Sequence, residues 1–285
     1  MPIDPKTITV FLDASPSGMK RTEHAVALAQ RWGAHLIGVH VTYAGVVLPA
    51  SISFARGDAG IANAIAFKNR LDVEAEAASV LTGEHFRDLC AALKVSGEFH
   101  PITRGDPAEE AILTSFYSDL VVIGHPEPCG LPDYVSPEQI LLASGAPLLI
   151  VPDVWEGEMI GDKILIGWNA SPQARRTVSD AMAFLRAAKS VRVLVIDAAA
   201  SNPPGDEPGA DIARHLLRHG ARVEIDLVAS RGLPIAQVIL DHAMQTGSDL
   251  LVVGAYSHAR LRELLFGGTT RTLFAKMPLP VLFSR

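Results

Sequence analysis

Residues 8–16 read Ile8-Thr9-Val10-Phe11-Leu12-Asp13-Ala14-Ser15-Pro16, and residues 164–172 read Ile164-Leu165-Ile166-Gly167-Trp168-Asn169-Ala170-Ser171-Pro172. Each is a β-rich apolar run closed by an Asp or Asn, an alanine, a serine and a proline. Serine suits a helix N-cap and proline the first helical position, so each run predicts a strand that passes directly into a helix. In the first helix Ala25, Leu28, Ala29 and Trp32 share one face, and in the second Val178, Ala181, Met182 and Leu185 do the same. The strand-to-helix unit therefore occurs twice, 156 residues apart.

Three further correspondences follow in the same order. Arg104-Gly105-Asp106-Pro107 returns as Arg231-Gly232-Leu233-Pro234, each reading as a helix opened by a proline in its first turn. Ser118-Asp119-Leu120-Val121-Val122-Ile123-Gly124 returns as Ser248-Asp249-Leu250-Leu251-Val252-Val253-Gly254. Pro147-Leu148-Leu149-Ile150-Val151 matches Pro278-Leu279-Pro280-Val281-Leu282. The spacing shrinks from 156 to 127 between the first and second matches, so the first copy carries 29 extra residues between its second and third strands. This insertion includes the apolar segment 42–66 and a helical pattern containing Phe86, Leu89 and Leu93. Val46-Val47-Leu48 within it reads as a loop on its own domain, or as a lid or dimer contact.

Each copy reads strand, helix, strand, helix, strand, helix, strand, short helix, strand. Strands separated by helices pair in parallel with right-handed crossovers, which gives an α/β doubly wound sheet with helices on both faces. The expectation is two tandem doubly wound domains, 1–155 and 160–285, each a mostly parallel five-stranded sheet. The matched Pro-Leu strands at the two domain ends suggest that the copies pair through their last strands as an internal pseudo-dimer, or that the chain forms a homo-oligomer.

Composition narrows the function classes. With 48% hydrophobic and 20% charged residues over 285 positions, the chain can build real cores. A formal charge of -6 gives no electrostatic reason to approach nucleic acid or an anionic membrane. The expectation is a cytoplasmic protein, since the opening residues show no leader pattern and no apolar run approaches a membrane span. Cys90 and Cys129 stand far apart and support neither a disulfide framework nor a zinc cluster. His215 and His219, four apart, lack a third ligand and sit between arginines. No Gly-x-Ser-x-Gly elbow, Walker-A lysine or HExxH motif is present.

Doubly wound sheets take ligands at the carboxyl ends of their strands, where strand order reverses. At that place in the second copy, Gly254-Ala255-Tyr256-Ser257 is followed by nine residues, His258 to Phe266, and then by Gly267-Gly268-Thr269-Thr270. Small residues at a strand end, then glycines and hydroxyls at a helix start, can close on an anion; a plain turn with a threonine cap is the other reading. His258 and Arg260 inside this stretch are either phosphate contacts or a solvated face. In the first copy Gly124 is followed by His125-Pro126-Glu127-Pro128, and Pro137-Glu138 stands where Gly267-Gly268 stands in the second. Proline has no N–H to offer and a carboxylate repels phosphate.

Together these stretches resemble the ATP-binding universal stress proteins, twice along the chain. The shared pattern is Gly, two residues, Gly, nine residues, Gly and Ser or Thr, with an Asp ending the first strand. Ser257 replaces the middle glycine, Gly268 stands at the hydroxyl position, and Asn169 replaces the Asp. The resemblance implies an adenine-nucleotide alpha hydrolase-like fold and an ATP-type ligand, and it leaves open whether magnesium accompanies it. It implies a second-copy site of Asn169, Ala170, Ile196, Gly254, Ser257, His258, Arg260, Gly267, Gly268, Thr269 and Thr270. It further implies a stress-response regulatory protein that is not an enzyme, or at most a slow ATP hydrolase. The alternatives are a scaffold that binds no nucleotide and a weak nucleotide hydrolase.

Overall fold

The computed structural model describes residues 4–41, 58–103, 106–125, 131, 135–198, 207–255 and 268–285. In the first half, strands β1 (Thr7–Leu12), β2 (His35–Val41), β3 (Gly97–Ile102), β4 (Leu120–His125) and β5 (Leu148–Pro152) alternate with helices α1 (Pro16–Trp32), α2 (Asp58–Leu93), α3 (Pro107–Phe116) and α4 (Pro137–Ser144). The second half holds β6 (Lys163–Gly167), β7 (Ser190–Ile196), β8 (Val223–Val228), β9 (Leu250–Gly254) and β10 (Val281–Ser284). Its helices are α5 (Pro172–Asp180), α6 (Met182–Ala187), α7 (Ala210–Arg218), α8 (Ile235–Gln245) and α9 (Gly268–Lys276).

The strands form one sheet in the order β3-β2-β1-β4-β5-β10-β9-β6-β7-β8. Within each half all pairs are parallel, and the halves meet where β10 pairs antiparallel with β5, Val281 opposite Ile150 and Phe283 opposite Leu148. Strand order reverses between β1 and β4 and again between β6 and β9, which makes two crevices, one per half. Because β5 and β10 cover each other, neither last strand is left as a bare edge.

The sequence repeat is also a hydrogen-bond repeat. Ser15 and Ser171 cap α1 and α5, accepting from Gly18 N and Ala174 N, with proline at the first helical turn in both. The Asp119 carboxylate accepts from the Lys6 and Thr7 amides, and the Asp249 carboxylate accepts from those of Gly161, Asp162 and Lys163. Each aspartate thus anchors the start of its own half's first strand. Three expectations need correction. Leu251 N donates to Pro280 O as Val121 N does to Pro147 O, so Pro147 corresponds to Pro280 and not to Pro278. Pro107 opens α3 from inside its first turn, whereas Pro234 sits just ahead of α8 as its N-cap. The helix after Pro172 is two helices, because Ala181, with ψ -3, ends α5 and begins α6; its buried face still includes Val178, Met182 and Leu185.

Alternating strand residues feed two cores, one on each face of the sheet. One face packs Ile8, Val10 and Leu12 with α1, α2, α5, α6 and α7, and the other packs Phe11, Val121 and Ile123 with α3, α4, α8 and α9. The central run Leu120 to Ile123 is buried on both sides, each side chain contributing roughly 1.5–3 kcal/mol. The insertion appears as α2, 36 residues long where its counterpart α7 has 9. Phe86 and Cys90 near its C-terminal end enter the core, whereas Ile65, Val73, Val80 and Leu81 are exposed. Val46-Val47-Leu48 lies outside the described residues.

Across the joint, Arg31 at the end of α1 donates to Ala187 O at 3.1 Å and Ile160 O at 3.5 Å, and Trp32 meets Phe184 edge to face at 4.6 Å. Arg31 and Ala187 stand 156 residues apart, the spacing of the first sequence match, and alanine has no side-chain donor with which to return the bond.

Candidate functional site

The second crevice is built from three adjacent strand ends and two helix starts. β6 runs into Asn169 and Ala170, both exposed, and then into the Ser171 cap of α5. Asn169 Oδ1 accepts from Ser171 N at 3.2 Å, which leaves its amide NH2 facing outward as a donor. β7 ends at the half-buried Ile196, and Asp197 beyond it accepts from Ser230 N at 2.7 Å, tying the end of β7 to the end of β8. The Ser230 hydroxyl and amide together hold the Asp197 carboxyl below the usual carboxylate range.

Three non-glycine residues here adopt left-handed backbone: Ala170 (φ 55), Asp197 (φ 54) and Arg231 (φ 50). They follow the ends of β6, β7 and β8, which are neighbours in the sheet. Such a conformation costs of order 1–3 kcal/mol for a residue with a Cβ, and it gathers where a fold holds loops for a ligand. Among the described residues the fourth case, Lys94, merely ends α2.

Gly254, at the end of β9, closes the floor. A Cβ on it would stand 2.5 Å from Ala174 N and 2.6 Å from the Gln173 carbonyl carbon, so only glycine lets β9 approach the first turn of α5. Two buried polar atoms without a partner flank this contact: Gln173 Oε1, and Oγ of Ser284, which stands opposite Gly254 in the sheet register. Thr177 Oγ1 donates to Gln173 O at 2.9 Å. α9 starts at Gly268, with Thr269 half-buried and Thr270 buried. Of the expected site, the structure brings Asn169, Ala170, Ile196, Gly254, Gly268, Thr269 and Thr270 to this end of the second half. Ser257, His258, Arg260 and Gly267 lie outside the described residues.

At the same place in the first half the described groups are largely engaged within the protein, Arg21 Nη1 remaining without a partner. Asp13 is held by Arg21, whose side chain is 1% exposed and whose Nε also donates to Phe11 O at 3.1 Å. Ser15 donates its amide and hydroxyl to the same carboxylate. In the second half the residue equivalent to Arg21 is Thr177, which carries no charge. At the start of α4, Pro137 has no N–H, Glu138 adds negative charge, and the Gln139 amide is taken by Ser136 Oγ in a capping box. His40, at the end of β2, donates Nδ1–H to Leu12 O at 3.0 Å, and burial pushes its imidazole below the ordinary range.

Arg21, Gln173 and Ser284 were not legible in the sequence. Arg21 sits in Lys20-Arg21-Thr22, which reads as a solvated helix face, and the other two carry no motif. Among the described residues no group of three or more His, Cys, Asp and Glu side chains could hold a metal ion. His215 and His219 stack ring to ring, with centroids 4.7 Å apart.

Comparison with known proteins bears on this geometry. Residues 161–285 match the model of the universal stress protein family. The second half of the chain is thus similar to the universal stress protein family. Universal stress protein Slr1230 of Synechocystis is 23% identical over 149 residues, which is 52% of this chain and 50% of that protein, so the chain spans about half the length of this curated relative. A solved universal stress protein of Archaeoglobus fulgidus overlays 100% of this chain and 97% of its own, with TM-score 0.67 and 14% identity. A putative universal stress protein of Pseudomonas aeruginosa overlays 98% of this chain and 93% of its own, with TM-score 0.52 and 15% identity. At these identities the structural likeness shows the fold alone. No helix among the described residues is long and apolar enough to cross a membrane.

Proposed function

We propose that the chain is a tandem of two universal stress protein domains, 1–155 and 160–285, and binds one adenine nucleotide of the ATP type, through its second domain. The observation that carries this reading is the asymmetry between the two crevices. In the second, Gly254 lies bare against the first turn of α5, unpartnered polar atoms flank it, and α9 opens with Gly268-Thr269-Thr270. In the first, an Arg21–Asp13 ion pair and the Ser136–Gln139 capping box occupy the equivalent groups.

The residues present suit a nucleotide. Amide donors at the start of α9, with Ser257, Gly267 and Thr269, would hold the phosphates, and His258 and Arg260 would add charge. The exposed Asn169 amide, Ala170 and Ile196 would border the base and ribose. The nucleotide itself supplies charge and shape; among the described residues no side chain in the crevice is placed to activate water, and the role proposed is binding, as a regulator in stress survival. Bound nucleotide would bridge β6, β7 and α9 and so alter the surface around the crevice. Mass spectrometry of the purified, gently denatured protein tests this. Co-released ATP or another adenine nucleotide at close to one per chain supports the reading. If purified protein releases no nucleotide and added ATP does not raise its melting temperature, the scaffold alternative replaces it.

A further inference from the structure

A cleft of about 470 Å³ opens at the joint between the halves, away from both crevices. The first half contributes Asp4, Arg31 and Trp32, and the second contributes Ala183, Arg186 and His219, so the cleft exists only when the halves are together. Trp32 and Ala183 form an apolar floor and the charged groups form the rim. Two guanidinium groups and an imidazole face a single carboxylate, on a chain whose formal charge is -6.

That carboxylate does not saturate the rim. Asp4 Oδ1 stands 3.8 Å from Arg186 Nη1, beyond hydrogen-bond distance, with both side chains nearly half exposed. Arg31 spends one donor on Ala187 O and one at the limit of range on Ile160 O, out of the five a guanidinium carries. Cations near helix ends usually offset the terminal carbonyls. Here Arg31 does so for Ala187 O, the last carbonyl of α6, while Ala29 O, Phe184 O and Leu216 O accept from the amides of Ala34, Ala188 and Ala221 and make no demand on the rim. His215 stands one turn before His219, outside the cleft lining. Burial first, and then His219, Arg175 and Arg218, hold its imidazole below the ordinary range. The rim therefore carries two guanidinium groups against the one carboxylate of Asp4.

We propose that this cleft binds a compact oxyanion of phosphate size and double negative charge, either free or as the headgroup of a small phosphate monoester. Arg186 and Arg31 would grip it as paired guanidinium forks, His219 would donate one further bond, and Trp32 would exclude water from below. Because both halves grip the same ion, binding would hold them in one arrangement.

Thermal denaturation of the full chain, titrated with inorganic phosphate against potassium chloride at equal ionic strength, tests this. ATP is kept saturating, so that phosphate cannot report on the second-half crevice. The expected result is a saturable rise in melting temperature with phosphate only. Its midpoint should weaken at least about tenfold in Arg186→Ala and tighten about fivefold in Asp4→Asn, which removes the competing carboxylate. The gain in Asp4→Asn keeps the test independent of any loss of folding. Repeating the titration with glycerol phosphate separates the sources: a tighter midpoint than for phosphate identifies a monoester, and a weaker one the free ion. No saturable rise, or a midpoint unmoved by either substitution, overturns the proposal.

Discussion

Replacing Asp13 with alanine should cost far more stability than replacing Asn169, although the two residues hold the same place in the repeat. Arg21 is 1% exposed, so removing Asp13 strands a buried guanidinium. Breaking a buried pair by deleting one partner costs about 3–5 kcal/mol. Asn169 is exposed and contributes one 3.2 Å bond to Ser171 N, worth about 0.5–1 kcal/mol. Urea unfolding of Asp13→Ala, Asn169→Ala and the wild type reads the difference directly. The double variant Asp13→Ala/Arg21→Met should recover most of the loss, because it removes the stranded charge. ATP affinity should move the opposite way, weakening in Asn169→Ala and holding in Asp13→Ala. A difference in stability of less than about 1 kcal/mol between the single variants, or no recovery in the double, would refute the assignment of Asp13 to a structural ion pair.

Two other outcomes follow from buried groups. Burial is the largest cause holding the His24 and His40 imidazoles below 6.5. The unfolded chain then binds more protons below that value, so stability is whole above it and is lost as pH falls beneath it; the urea midpoint should be lower at about pH 5.5 than at about pH 7.5, with a smaller drop in His24→Gln. Gly254→Ala places a methyl 2.5 Å from Ala174 N, so α5 must shift at a cost of about 1–3 kcal/mol; calorimetry should show ATP affinity at least about tenfold weaker, and unchanged affinity would separate the crevice from that contact.

The fold was largely legible because the repeat carries its own punctuation. Asp13-Ala14-Ser15-Pro16 and Asn169-Ala170-Ser171-Pro172 each place a cap and a first-turn proline at a strand end, and local chemistry fixes that geometry. The last strand was misaligned by two residues because Pro278-Leu279 and Pro280-Val281 look alike locally. Only the bond from Leu251 N to Pro280 O, set by the neighbouring strand, distinguishes them. The break at Ala181 was equally hidden, since its residues keep helical apolar spacing on both sides. The tight approach at Gly254 and the missing N–H at Pro137 were legible because backbone chemistry decides both. It was not legible at Arg21, because burial of a helix-face arginine depends on a tertiary partner eight residues upstream.

The account rests on one crevice being open and the other closed. Calorimetric titration of the full chain with ATP measures this most directly. One site per chain, abolished in Gly267→Val and retained in Asp13→Ala, is the predicted result. Two sites per chain, or one site that survives Gly267→Val and vanishes with Asp13→Ala, would contradict it.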